Sequence, residues 1–195
     1  FHRYTTKCHD VENIYLTEED INKLYAIDFN DEVIKAQIDP RDHIEITRDL
    51  FIVACWTGLR YGDWKDLSEA NINDNTMVVH THKTDKTVII PLHPMVKAII
   101  TKYGGVLPKS VDKSKTLKHI RKCAEWAGIS ESVSLSRVKG GQTETKNGEK
   151  HQFLMNHTAR RSFATNMYLR GVPSISIMAI TGHTTEANFL KYIKV

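Results

Sequence analysis

Apolar residues along the chain recur mostly at helical spacing, with one stretch of alternation and one polar tract. The run Leu16-Thr17-Glu18-Glu19-Asp20-Ile21 predicts a helix start. Thr17 can cap it, three acids suit the positive end of the helix dipole, and Ile21, Leu24 and Tyr25 share a face. Residues 41–56 predict a second helix, with Leu50, Phe51, Ala54 and Cys55 at core spacing and Gly58 as its stop. Residues 76–82 and 87–90, separated by Lys83-Thr84-Asp85-Lys86, predict a β-hairpin that Pro91 ends. Helices follow over about 94–103 and over 113–127, the latter basic, with Leu117, Ile120, Ala124 and Ala127 inward. Residues 136–151 are polar and carry the turn signals Gly140-Gly141 and Asn147-Gly148, which suit a mobile loop or a short hairpin. Three further helices are predicted: 158–169 stopped by Gly171, 173–181 stopped by Gly182, and 187–193. The class is mainly α with a small antiparallel β-sheet, an α+β fold.

Composition narrows the function classes. With 195 residues, 41% hydrophobic and 26% charged, one globular domain is expected. No apolar run approaches the roughly 18 residues of a membrane span, so no transmembrane helix is expected, and no charged-then-apolar leader follows Phe1, so no secretory signal is expected in this stretch. The missing initiator Met predicts a fragment of a longer chain. Cys8, Cys55 and Cys123 are odd in number and far apart, which suits reduced thiols and a cytoplasmic location. Net charge is +4, but residues 1–97 carry 11 basic and 17 acidic side chains while residues 98–195 carry 16 and 6. A basic second half predicts a surface for a polyanion, nucleic acid first among them.

Four segments hold residues suited to chemistry on an anion. In His157-Thr158-Ala159-Arg160-Arg161, a three-residue step turns about 300° on a helix and puts His157 and Arg160 on one side. A guanidinium fork beside a proton-shuttling imidazole suits an anionic oxygen, although the same pair also occurs as an incidental surface feature. In Thr57-Gly58-Leu59-Arg60-Tyr61-Gly62-Asp63, Arg60 sits where two elements meet, and Asp63 can hold it or form a local salt bridge. Lys83 at the hairpin tip can reach into a groove, or can simply guard a strand edge. Histidines 80 and 82 share a strand face, but no Cys or carboxylate cluster completes a metal site there, so none is expected. In Thr181-Gly182-His183, nine residues before Tyr192, an unbroken helix would turn about 900° and set the two rings on opposite sides. They converge only if Gly182 breaks the chain and Tyr192 rides a separate helix.

In the order Arg60, Lys83, His157, Arg160, His183, Tyr192 the chain resembles the tyrosine recombinases, the lambda-integrase family. The words Thr57-Gly58-Leu59-Arg60, Val88-Ile89-Ile90-Pro91-Leu92, His157-Thr158-Ala159-Arg160-Arg161-Ser162-Phe163-Ala164-Thr165 and Thr181-Gly182-His183 carry the likeness, which is nearest to integrases of bacterial conjugative transposons and prophages. The resemblance implies residues 1–15 as a linker from an N-terminal core-binding domain and residues 16–195 as the catalytic domain. It implies cleavage and rejoining of DNA strands through a covalent 3′-phosphotyrosine, without metal, ATP or other cofactor. Arg60 and Arg160 would clamp the phosphate, Tyr192 attack, His157 accept its proton, Lys83 protonate the 5′-oxygen, His183 bond the phosphate, and Asp63 orient Arg60 or His157. Arg137, Lys139, Lys146, Lys150 and Arg161 are candidate DNA contacts. Implied partners are double-stranded DNA attachment sites, three further copies in a synaptic tetramer and accessory DNA-bending or excision factors. The fragment alone is expected to be a monomer, nucleoid-associated in a bacterium. A type IB topoisomerase and a non-catalytic DNA-binding regulator share enough of this chemistry to stand as alternatives.

Overall fold

The computed structural model describes residues 14–193 except 40, 69, 84, 140 and 141; the side chains of 71, 137–139 and 143 also lie outside the description. Residues 1–13 of the linker expected over 1–15, with Cys8, and the Arg137 and Lys139 side chains therefore fall outside the described residues.

Helix α3 (Ile44–Thr57) is the axis of the fold. It is buried along almost its whole length, so its sequence is apolar on every side rather than striped. Around it pack α1 (Glu18–Tyr25), α5 (Pro94–Lys102), α6 (Lys113–Trp126) and α7 (Thr158–Leu169). Thr17 and Asp20 cap α1 reciprocally, as the sequence word predicts. Two charges on α3 are used internally: Arg48 donates to the Leu24 and Tyr25 carbonyls at the end of α1, and Asp49 accepts from Tyr103 Oη at 2.8 Å and Lys102 Nζ at 2.6 Å. Buried charges paired in this way fix the rotation of α3 against its neighbours.

The alternating segment forms β2 (Thr76–Thr81) and β3 (Lys86–Pro91), paired antiparallel with Val79 opposite Val88, and a two-residue strand β1 (Asn71–Ile72) extends the sheet to three. The polar tract is a regular hairpin, β4 (Ser132–Lys139) and β5 (Gln142–Glu149), four residues longer at its start than predicted. Two single-turn helices, α2 (Glu32–Lys35) and α4 (Tyr61–Trp64), and a 3₁₀ turn over Lys150–Phe153 are too short to show a period. The last two helices, α8 (Ser174–Thr181) and α9 (Glu186–Tyr192), pack with α7 on a separate small cluster of Phe163, Ala164, Ile177, Phe189 and Ile193. Cys55 and Cys123 are buried free thiols, both pushed up by that burial, Cys123 to about 12. No described helix is long and apolar enough to cross a membrane.

Candidate active site

Gly58 ends α3 in the left-handed conformation, φ +66°, and lies so close to α7 that a Cβ there would sit 2.4 Å from Phe163 Cδ1. That close approach lets Arg160, buried on α7, donate from Nη1 to the Gly58 carbonyl at 2.8 Å. Two residues on, Arg60 starts α4 and faces the same space. Gly182, φ +63°, ends α8; His183 follows, with its Nδ1 2.9 Å from Thr181 Oγ1, and Thr185 caps α9. The break that the sequence required is thus present, and α9 returns Tyr192 to His183 with ring centroids 4.7 Å apart.

Tyr192 Oη lies 3.0 Å from His157 Nε2, across the first turn of α7. Arg160 acts on the same hydroxyl. Arg161 lies over the Tyr192 ring, its Cζ 5.0 Å from the centroid, and its Nε donates to the Tyr192 carbonyl at 3.3 Å. Five sequence-predicted residues, Arg60, His157, Arg160, His183 and Tyr192, therefore meet in one place although they span most of the chain.

The electrostatics follow from crowding cations. Desolvation, then the charges of Arg161, Arg160 and Arg60, hold His157 down at about 4. Desolvation with Arg160 and Arg60 holds His183 at about 4 as well. Arg160 falls to about 10, through burial and the neighbouring Arg60. Burial raises the Tyr192 phenol, and Arg160, Arg161 and Arg60 pull the other way. Carboxylates paired with described arginines serve Arg41, Arg48 and Arg170 rather than Arg60, Arg160 or Arg161. Cations outnumber anions in the cluster, with Arg60, Arg160 and Arg161 against the charge of Asp63, and its two imidazoles are neutral near pH 7.

Other candidates sit differently. Lys83 is exposed in the β2–β3 turn, outside the cluster. Asp63 is buried; its Oδ1 accepts from the His82 backbone N–H at 2.9 Å, and its charge reaches Arg160. Its place in the single turn of α4 points it under the hairpin, so it anchors the base of the turn that bears Lys83. Lys150 is not a DNA-facing cation: it is buried, 2.8 Å from Asp20 Oδ2 and 3.3 Å from Glu131 Oε2. A buried ammonium needs such partners, and the 3₁₀ turn draws it inward. Arg161 likewise turns to Tyr192, and of the five proposed contacts Lys146 alone has a described, exposed side chain on the hairpin. His80 pairs with Asp85 at 2.9 Å, and no group of three or more potential metal ligands occurs among the described residues. Sequence reasoning missed the Thr181 hydroxyl behind His183, for which the Thr-x-His spacing was the available signal.

Comparison with known proteins agrees with this geometry. A family model described as the phage integrase family matches residues 15–195. A tyrosine recombinase XerC of Rickettsia typhi is 27% identical over 146 residues, 73% of this chain and 45% of that protein. The chain thus spans about half the length of the curated relatives it matches. Among solved structures, a lambda integrase fragment, described as a dimer bound to a COC′ core site, aligns with TM-score 0.62 and 17% identity, over 95% of this chain and 61% of that one. The catalytic domain of bacteriophage HP1 integrase aligns with TM-score 0.55 and 18% identity, over 93% and 87%.

Proposed function

The chain belongs to the phage integrase family, and from that premise we propose that it is the catalytic domain of a site-specific tyrosine recombinase of a mobile element, an integrase acting on DNA attachment sites. The observation that carries this reading is the 3.0 Å contact of Tyr192 Oη with a neutral His157 Nε2, beside Arg160.

The step is a transesterification. Tyr192 Oη attacks the phosphorus, the bond to the 5′-oxygen breaks, and the phosphate becomes 3′-phosphotyrosine. His157 Nε2 takes the phenol proton; the shifts of both groups oppose this transfer in the DNA-free chain, and the negative charge of a bound phosphodiester, by offsetting the arginines, raises His157 towards a competent base. Lys83, carried in on the hairpin tip, protonates the departing 5′-oxygen. Arg60 and Arg160 spread two guanidiniums over the non-bridging oxygens, where charge grows, and His183 adds a hydrogen bond. Because the diester energy stays in the phosphotyrosine, a second 5′-hydroxyl reverses the step on a new strand, and no nucleotide is consumed. The cationic surplus after residue 98 and Lys146 on the β4–β5 hairpin support backbone binding to duplex DNA, with a steep salt dependence. Synapsis assembles four copies with accessory DNA-bending or excision factors in a bacterial cytoplasm, at the nucleoid; the isolated chain is monomeric.

The test is a pool of randomised nicked duplexes incubated with the chain and quenched in detergent. Mass spectrometry should place a nucleotide on Tyr192. Tyr192→Phe should abolish adducts while duplex binding persists. Adducts surviving that change would reject the assignment; binding without any adduct in the parent chain would favour a DNA-binding regulator.

A further inference from the structure

The chain ahead of α1 is pinned along α7 by three side chains. The Leu16 N–H donates to Ser162 Oγ at 2.8 Å, Asn166 Nδ2 donates to the Leu16 carbonyl at 3.0 Å, and Arg161 Nη1 donates to the Ile14 carbonyl at 3.4 Å. Leu16 itself is fully buried. Arg161 differs from the other two because its remaining contacts run the opposite way, to the Tyr192 carbonyl at 3.3 Å and the Tyr192 ring at 5.0 Å. One guanidinium therefore touches both Ile14 of the leading segment and the end of the helix that carries the phenol. Among the described residues that helix is held besides by the Tyr192 contact with His157 and by the Tyr168 and His183 rings against Phe189. It is seven residues long, too short to be stable alone, and packs through Phe189 and Ile193 on the small cluster.

We propose that Arg161 is a positioning residue that clamps the Tyr192 end of α9 and couples it to the segment leading into α1, so that displacement of that segment loosens the nucleophile. This rests on the assignment of Tyr192 above. The planar fork is what allows the bridge: Nε and Nη1 address two carbonyls while the guanidinium face covers a ring. Lysine, a point charge on a flexible stem, cannot make all three contacts. A phosphate contact would leave these donors facing solvent, and here they are spent on the protein itself.

Amide hydrogen exchange on the DNA-free chain tests the clamp without DNA chemistry. Arg161→Lys and Arg161→Met should each speed exchange over residues 186–192 by roughly tenfold, the scale of one or two lost hydrogen bonds and a cation–π contact. Ser162→Ala, which removes the acceptor for the Leu16 N–H and otherwise only a bond to the Thr158 carbonyl inside α7, should speed exchange at residue 16 and, by roughly threefold, over 186–192. A charge readout separates positioning from mere packing. The groups facing His157 are Arg60 at the start of α4, Arg160 and Arg161 on α7, His183 in the turn between α8 and α9, and Tyr192 at the end of α9. Removing the Arg161 charge in the Met variant should raise the His157 midpoint in an NMR titration, and the Lys variant should leave it low. On nicked duplex, both variants should slow covalent trapping without changing half-saturation or the salt slope of binding. Unchanged exchange over 186–192 in both Arg161 variants overturns the proposal. So does a salt slope lower by about one with that helix still protected, which marks Arg161 as a phosphate contact. If the parent chain forms no adduct, the recombinase reading falls, and the exchange data still decide the clamp.

Discussion

The described residues form two hydrophobic units of unequal size, and the site is divided between them. The larger one surrounds α3 and holds Ala159 of α7, so Arg160 and His157 share its rigidity, and Arg160 is locked further by the Gly58 carbonyl. The smaller one has five buried residues and carries α8, α9 and Tyr192. The cations that would meet the phosphate are fixed by the large core. The attacking phenol stands on an element whose apolar burial is modest and whose length gives it little intrinsic stability. Local opening is drawn from such low-stability elements. The division separates two demands: a phosphate clamp has to be preorganised, and a nucleophile that becomes covalently attached has to move with its strand.

The comparison is broken most severely by Arg160→Ala. The substitution strips the Gly58 carbonyl of its donor and the site of its buried guanidinium, and covalent trapping should fall about a thousandfold or more, as measured by single-turnover adduct formation. Binding of duplex should fall far less. Equal losses in both would mean that the clamp serves affinity rather than the reaction.

A matched pair of truncations sharpens it next. Phe51→Ala in the large core should cost about 3–5 kcal/mol of global stability, read as a lower denaturant midpoint. Phe189, buried as completely in the small cluster, should behave differently. Its truncation should release α9 locally, accelerating exchange over residues 186–192 and abolishing adducts, with the denaturant midpoint of the rest little changed. If both variants lower the midpoint alike, the two units are one cooperative body. Gly58→Ala follows, with a loss of about 2 kcal/mol from the left-handed backbone and crowding by Phe163, and with Arg160 displaced.

How far these units could be seen in the sequence depended on burial. The bounds of α7 and its Gly171 stop were legible to the residue, because the helix has an apolar face and clear punctuation. The β4–β5 hairpin was ambiguous because none of its described side chains is buried, so nothing there imposes alternation; Ser134, Thr145 and Lys146 are all polar. The residue types of the site were legible from their order and local words. Their second partners were not: Lys150 and Asp20 are 130 positions apart, and nothing local says that Asp63 bonds the His82 backbone. Arg161 shows the limit best. A basic residue beside Arg160 reads as another phosphate contact, and only the return of α9 and the path of residues 14–16 give its donors other partners.

The smallest expected effect lies at the border of the two units, where His157 belongs to the larger and His183 to the smaller. Both are held at about 4, against 6.5 for an ordinary imidazole. The unfolded chain therefore takes up these protons near pH 6.5, and the folded chain resists until about 4. Their contribution to stability is intact above pH 6.5 and is lost progressively as pH falls towards 4. The first consequence should be local: a proton on either ring adds charge among Arg60, Arg160 and Arg161, so the protection of residues 186–192, taken relative to the intrinsic exchange rate at each pH, should fall with acid before the global midpoint moves. A bound phosphodiester should reverse the sign. Its negative charge offsets the arginines and raises both midpoints, so duplex binding between pH 4 and 6.5 should take up protons. Calorimetry in buffers of different ionisation heat reads that uptake. Binding with no proton uptake across this window would mean that the two imidazoles do not face the bound phosphate, and that the cation-rich unit and the phenol-bearing unit are not joined at one site.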